Sequence, residues 1–257
     1  MTRTSTLPAL ILRTYPVGEI HLGVRLLTAE HGVVQALAHG ARSPRGKLRG
    51  VVGPFHSGLC YLYSDPVKNS HKITDFDVRS FRTGIREDLD RYCTAALWIE
   101  SVIAGHAGGS GAAELFPLLE SCLDILAEIE PRKVPRLEAL FLWRFLDILG
   151  AQPEPGRCSL CETVISDSVE ASYSSASGGF VCSRCGGVRP PLLSAGARAY
   201  LSRSDSLSVE EAIEIGLAAA SLSELRSLLL HITSEVVEVP LRSVAVALGL
   251  RGGTEKP

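Results

Sequence analysis

Two rhythms of apolar and polar positions divide this 257-residue chain. Through about residue 80 the apolar side chains come in short runs. Val24-Arg-Leu-Leu-Thr28 and Val33-Val-Gln-Ala-Leu37 read as strands, and Ala29-Glu-His-Gly32 between them reads as a hairpin loop ending in glycine. Leu59-Cys-Tyr-Leu-Tyr63 is a third strand. His71 to Val78 is a fourth, with Ile73 and Asp75 assigned to one face and Thr74, Phe76 and Val78 to the other. Gly40, Pro44, Gly46, Gly50, Gly53 and Pro54 punctuate the runs. From about residue 85 the spacing becomes helical. Leu89, Tyr92, Ala96, Ile99 and Ile103 form one stripe, and Leu115, Leu118, Cys122, Leu126 and Ile129 another. Leu137, Phe141, Phe145 and Ile148 form a third, stopped by Gly150. Ser194 to Leu201 opens a further helix. Ser221-Leu-Ser-Glu224 has the pattern of a capping box, leading Leu222, Leu225, Leu229, Ile232 and Val236 inward.

This pattern predicts an α+β multidomain chain: a β-rich domain over 1–80 and a helical bundle over 81–257. About five short strands in eighty residues suit a small closed barrel such as an OB-fold, with a lone sheet packed on the helices as the alternative. A cysteine-bearing segment, about 155–190, interrupts the bundle as an inserted module. Its Ala171 to Gly179 tract reads as a flexible or turn-rich loop.

Composition adds that real cores can form: 46% of residues are hydrophobic and 21% charged. No apolar run reaches the length of a membrane helix. Leu7-Pro-Ala-Leu-Ile-Leu12 is too short for a secretory signal and contains a proline, so a cytoplasmic setting is expected. The net charge of −2 hides a split: residues 1–80 carry +5 and residues 81–257 carry −7, with five of the seven histidines in the basic part. Such asymmetry points the first domain at a polyanion.

Cys158-Ser-Leu-Cys161 and Cys182-Ser-Arg-Cys185 are two matched pairs twenty residues apart. That spacing suits four thiolates around one structural Zn²⁺, with no coordination position left for catalysis. Gly186 and Gly187 let the backbone turn beneath the metal. In a reducing compartment disulfides are disfavoured. Unliganded buried thiols, a redox pair and an iron–sulfur cluster remain as alternatives. Cys60, Cys93 and Cys122 sit in apolar patterns and read as core.

His39-Gly-Ala-Arg-Ser-Pro-Arg-Gly-Lys-Leu-Arg49 places Arg42, Arg45, Lys47 and Arg49 within eight positions, without an acid. A short mobile cationic segment suits phosphate contact that ignores base identity. The plain alternative is a solvated loop. Tyr15, Phe55, Tyr61 and Tyr63 are candidates for base stacking, the last three equally for the core.

Val17-Gly-Glu, Leu26-Leu-Thr-Ala-Glu-His-Gly32, Gly40-Ala-Arg42 with its basic tail, and Pro54-Phe55 together resemble the N-terminal OB domain of the RecO family. The helical region with its four cysteines resembles the rest of that family. Ser43, Gly46 and Gly53 depart from what is common there. The resemblance implies a DNA repair and recombination mediator that is not an enzyme. Such a protein binds single- and double-stranded DNA, anneals complementary strands, docks the C-terminal tail of SSB, and works with RecR to place RecA on SSB-coated DNA. Carried over by position, Arg42, Arg45, Lys47 and Arg49 contact phosphates, and Cys158, Cys161, Cys182 and Cys185 hold zinc. Four phosphate contacts set an expected log–log salt slope of about −3 to −4.

No Walker A, HExxH or GxSxG sequence is present. Asp88 and Asp90 would need a third acid to hold a metal, and His106 and His231 read as structural. Two rivals remain: a zinc-ribbon OB-fold protein that binds RNA or another protein, and a metal-dependent nuclease.

Overall fold

A computed structural model describes residues 4–105, 111–187 and 189–243. The chain gathers into two compact units, Met1–Glu128 and Ile129–Pro257.

In the first unit, β1 (Thr4–Val17), β2 (His21–Thr28), β3 (Gly32–Ala38), β4 (Ser57–Asp65) and β5 (Ser70–Ser80) close into a barrel in the order β1-β2-β3-β5-β4. Four pairings are antiparallel, and the β3–β5 pair is parallel, running from Ala36↔His71 to Ala38↔Ile73. This five-stranded Greek-key barrel is the OB-fold. The hairpin at 29–31 falls where the sequence sets it. β1 is not among the runs assigned above, and it contains Pro8, a residue that a sheet interior would exclude. β1 escapes that rule by sharing itself: residues 4–10 pair with β4 and residues 10–17 with β2. Pro8 lies where only β4 is a neighbour, so no second ladder loses a donor. β5 corrects the face assignment. Tyr61 pairs with Asp75 but Leu62 with Ile73, so a bulge inserts one residue. Ile73 and Phe76 therefore both enter the core, against strict alternation.

α1 (Thr83–Glu87), α2 (Leu89–Gly105) and α3 (Ala112–Glu128) complete this unit. α3 buries Leu115, Cys122 and Leu126 of its predicted stripe, leaves Leu118 half-buried and ends before Ile129. α2 departs from its own stripe: Leu89 and Tyr92 are exposed, while Ala95, Trp98 and Val102 are buried on a rotated face. Cys60, Cys93 and Cys122 are buried. His106 lies outside the described residues.

Buried Arg82 is an unforeseen fastener. It is left-handed at φ 46, and its guanidinium donates to Asp124 Oδ1 and to the Phe55 carbonyl, both at 2.7 Å. Phe55 itself stands at φ 71 and is stitched to β1 through Ile11.

In the second unit, α4 (Val134–Ile148) is apolar and buried over most of its circumference. It ends in a Schellman motif, with Ala151 N–H on Leu146 O and Gly150 N–H on Asp147 O, and Gly150 at φ 68. The inserted segment carries β6 (Ala171–Ser174), β7 (Gly179–Val181), α5 (Ser183–Gly186) and β8 (Leu192–Leu193), its three strands ordered β7-β6-β8. The expected loop at 171–179 is thus a hairpin, whose only turn spans 175–178. α6 (Ala195–Ser204), α7 (Val209–Ala212) and α8 (Ala219–Val236) follow, with α8 packed on α4. Arg226 of α8 binds fully buried Glu138 of α4 at 2.7 Å. Ser221 and Glu224 do not cap α8, which begins two residues earlier; both bind Ser194, the N-cap of α6. The real capping box is Ser208 with Glu211, opening α7. No helix among the described residues is long and apolar enough to cross a membrane.

Candidate nucleic-acid interface and metal centre

The metal centre is built from two chain reversals. After Cys158 the backbone turns tightly, with Glu162 N–H on Cys158 O, Cys158 N–H on Thr163 O, and Glu162 at φ 59. Cys182 ends the β6–β7 hairpin and begins α5, where Cys185 N–H and Gly186 N–H both reach Cys182 O. The hairpin brings the second turn onto the first. As a result the sulfurs of Cys158, Cys161, Cys182 and Cys185 all lie within 4.8 Å of one another.

Cys161 and Cys182 Sγ are 3.7 Å apart. That is far longer than a disulfide bond of about 2.05 Å. It matches the edge of a tetrahedron with metal–sulfur bonds near 2.3 Å, about 3.8 Å. The thiols also disturb one another. Thr163, with its hydroxyl 3.4 Å away, draws Cys161 down to about 6. Hydrogen bonding with Cys161 and Cys182 pushes Cys185 up to about 12. Four sulfurs this close cannot all ionise unaided, and a bound cation removes that conflict.

The module has a core of its own. Ile165, Ala171, Phe180, Val181 and Leu193 are buried, and Tyr173 meets Phe180 edge-on at 6.0 Å. Arg198 of α6, also buried, donates to the carbonyls of Pro155, Ile165, Ser166 and Val169 at 2.7–3.0 Å. Nothing in the sequence distinguishes this arginine from a surface one.

The basic segment is a chain of turns pinned to the barrel. Ser43 N–H reaches Gly40 O, Gly46 N–H reaches Ser43 O, and Arg49 N–H reaches Gly46 O. Ala41, Leu48 and Val52 plug into the barrel core. A Cβ on Gly46 would fall 1.8 Å from the Gly40 oxygen, so no side chain fits there. This anchoring replaces the mobile segment expected from its glycines and proline. It leaves Arg42, Arg45, Lys47 and Arg49 all exposed. Their freedom differs. Lys47 Nζ donates to Asp75 Oδ2 at 2.5 Å, which raises the lysine and lowers the carboxyl. Among the described residues, Arg42 and Arg49 donate only to backbone carbonyls, of Gly18 and Pro44. Arg45 makes no ion pair among the described residues.

Phe55 is 2% exposed and lies edge-on to Tyr92, so it is not a stacking surface. Tyr61 donates to Asp77. His231 sits between Ser175 Oγ at 3.2 Å and Glu235 at 3.5 Å, a structural bridge from α8 to the hairpin turn.

The family model described as "Recombination protein O N terminal" matches residues 1–81, and "Recombination protein O C terminal" matches residues 86–245. The chain belongs to the RecO family. RecO relatives at moderate identity span most of its length. A protein described as DNA repair protein RecO from Desulfatibacillum aliphaticivorans is 29% identical over 199 residues, covering 75% of this chain and 76% of its own. One of the same description from Synechococcus elongatus is 30% identical over 199 residues, covering 74% and 73%. A third, from Moorella thermoacetica, is 27% identical over 178 residues. The barrel falls in the N-terminal RecO match. The cysteine centre and α4 to α8 fall in the C-terminal match.

Proposed function

We propose that this chain is a DNA-repair protein that binds single- and double-stranded DNA without regard to sequence and anneals complementary strands. The observation that carries the reading is the basic loop: cations on an OB barrel, fixed by buried Ala41, Leu48 and Val52, in a chain of the RecO family. Two complementary strands repel through their phosphates. A cationic surface that holds both neutralises part of that charge and raises their local concentration. Base pairing then needs no bond made or broken, so the chain acts without a catalytic group.

Membership of the family supports the finer part: cooperation with RecR, capture of the SSB C-terminal tail, and help in placing RecA on SSB-coated DNA in the bacterial cytoplasm. Cys158, Cys161, Cys182 and Cys185 hold one structural Zn²⁺ in this reading. Bound there, the ion cross-links the two turns and offers no open position.

The test is strand annealing with complementary oligonucleotides coated by SSB. Faster annealing with chain added, without Mg²⁺ or Mn²⁺ and without fragments, is expected. No acceleration, or cleavage of labelled DNA once metal is added, defeats the proposal. Parallel titration with RNA separates it from an RNA-binding protein.

A further inference from the structure

Beside the basic loop, the outer face of the barrel carries a ring that charge alone does not use. The strand register sets Tyr15 opposite Gly23 and Gly23 opposite Leu37, with Arg13, Arg25 and Gln35 as a parallel row two residues away. A Cβ at Gly23 would fall 2.2 Å from Tyr15 Cζ and 2.3 Å from Cε2. The phenol end of the ring therefore covers bare strand backbone, in space that only glycine leaves. Gln35 Nε2 donates to the Tyr15 hydroxyl and braces the far end of the ring. Tyr15 stays half-exposed, so one side of the ring is supported and the residue is still reachable.

The surroundings suit a nucleotide. Arg13 is exposed and Arg25 half-exposed, and neither forms an ion pair among the described residues. Lys72, exposed on β5, is registered against Leu37. Tyr61 has the opposite setting: it is paired with Asp75 and bonded to Asp77, carboxylates that repel phosphate. The basic loop is close by. Arg42 N–H binds Ile20 O, three residues before Gly23 and so about 10 Å along the strand.

We propose that Tyr15, laid over Gly23 and braced by Gln35, is a stacking platform for an unpaired base, with Arg13 and Arg25 holding the adjoining phosphates. This rests on the DNA-binding reading above and divides its labour. The loop takes phosphates of any DNA, whereas the platform takes only a base freed from a duplex, because a stacked pair hides its π-face.

The full chain and its Tyr15→Ala, Tyr15→Phe and Arg42→Ala/Arg45→Ala variants are titrated with fluorescent oligo(dT) and with a duplex of equal length at one salt concentration. Tyr15→Ala is expected to weaken oligo(dT) binding by about fivefold or more and duplex binding by less than about twofold. Tyr15→Phe should stay near the parent, and the double arginine variant should weaken both DNAs. Undiminished oligo(dT) binding by Tyr15→Ala overturns the platform but leaves the loop standing. Failure of the unsubstituted chain to bind either DNA overturns both. A second measurement avoids any folding defect. Oligo(dT) carrying 5-iododeoxyuridine, irradiated on the unsubstituted chain, should cross-link to Tyr15; adducts elsewhere but none at Tyr15 defeat the assignment.

Discussion

Lys47 and its arginine neighbours carry equal formal charge but unequal freedom. Lys47 must leave Asp75 before it can meet a phosphate, whereas Arg42, Arg45 and Arg49 give up at most a carbonyl. An exposed pair of this kind adds little to stability, yet it cancels the charge that counter-ion release requires. Arg42→Ala, Arg45→Ala and Arg49→Ala are therefore expected to cost affinity for every sequence alike, and Lys47→Ala to cost least. On a duplex, which engages the loop but not the Tyr15 platform with Arg13 and Arg25, three effective contacts set a log–log salt slope of about −2 to −3; a salt titration of the parent and four variants on duplex DNA checks both. A second residue-scale prediction concerns His56. It is buried, its Nδ1 lies 2.8 Å from Val51 O, and its Nε2 lies 2.6 Å from Arg86. A guanidinium only donates, so Nε2 accepts and the ring is neutral. Burial lowers its pKa below the ordinary 6.5, with Arg86 and Arg82 adding to the effect. The unfolded chain then binds a proton that the folded chain refuses. Stability is full above pH 6.5 and falls as pH drops below it. Thermal melts from pH 7.5 to 5.5 should show that slope, and a His56→Gln chain should show less of it.

Among the elements, the inserted module is the most informative. Its two cysteine turns are joined by a hairpin with buried Phe180, Tyr173 and Val181, and Arg198 ties four of its carbonyls to α6. A metal held by the four sulfurs would thus be one of two fastenings. Native mass spectrometry should find one zinc per chain. Its removal by chelation should speed amide exchange in 158–163 and 182–187 while 171–174 stays protected. Exchange that opens the whole module at once counts against the second fastening. Arg198→Met should do the reverse, loosening 155–169 by about 2–3 kcal/mol with the zinc retained.

The same elements show what a sequence pattern can convey. The Gly150 stop and the two CxxC pairs were legible because a single residue type answers a local need: a left-handed cap, or a tight turn with a thiolate at each end. The phase of α2 was not, because Leu89 and Tyr92 are apolar yet exposed while Thr94 and Ser101 are buried. The Ser221–Glu224 pattern misled because its side chains serve the neighbouring helix start at Ser194.

Across the whole molecule, the charge split has a physical consequence. The −7 of residues 81–257 repels DNA, so binding should concentrate on the +5 of residues 1–80. Lysine-directed chemical footprinting is expected to show protection by DNA at Lys72 on the barrel and none at Lys133 on the helical unit; the reverse would place the interface elsewhere. Periodicity, net charge and cysteine spacing are local quantities, so the strands β2 to β5, the helical remainder, the basic loop and the four-cysteine set are readable from the residues alone. The pairing of Lys47 with Asp75, the seat of Tyr15 on Gly23, and the burial of Arg82 and Arg198 as fasteners emerge in the folded chain alone. Each of these depends on residues distant in sequence meeting in space, and no one-dimensional pattern records which side chain fills the room that another leaves.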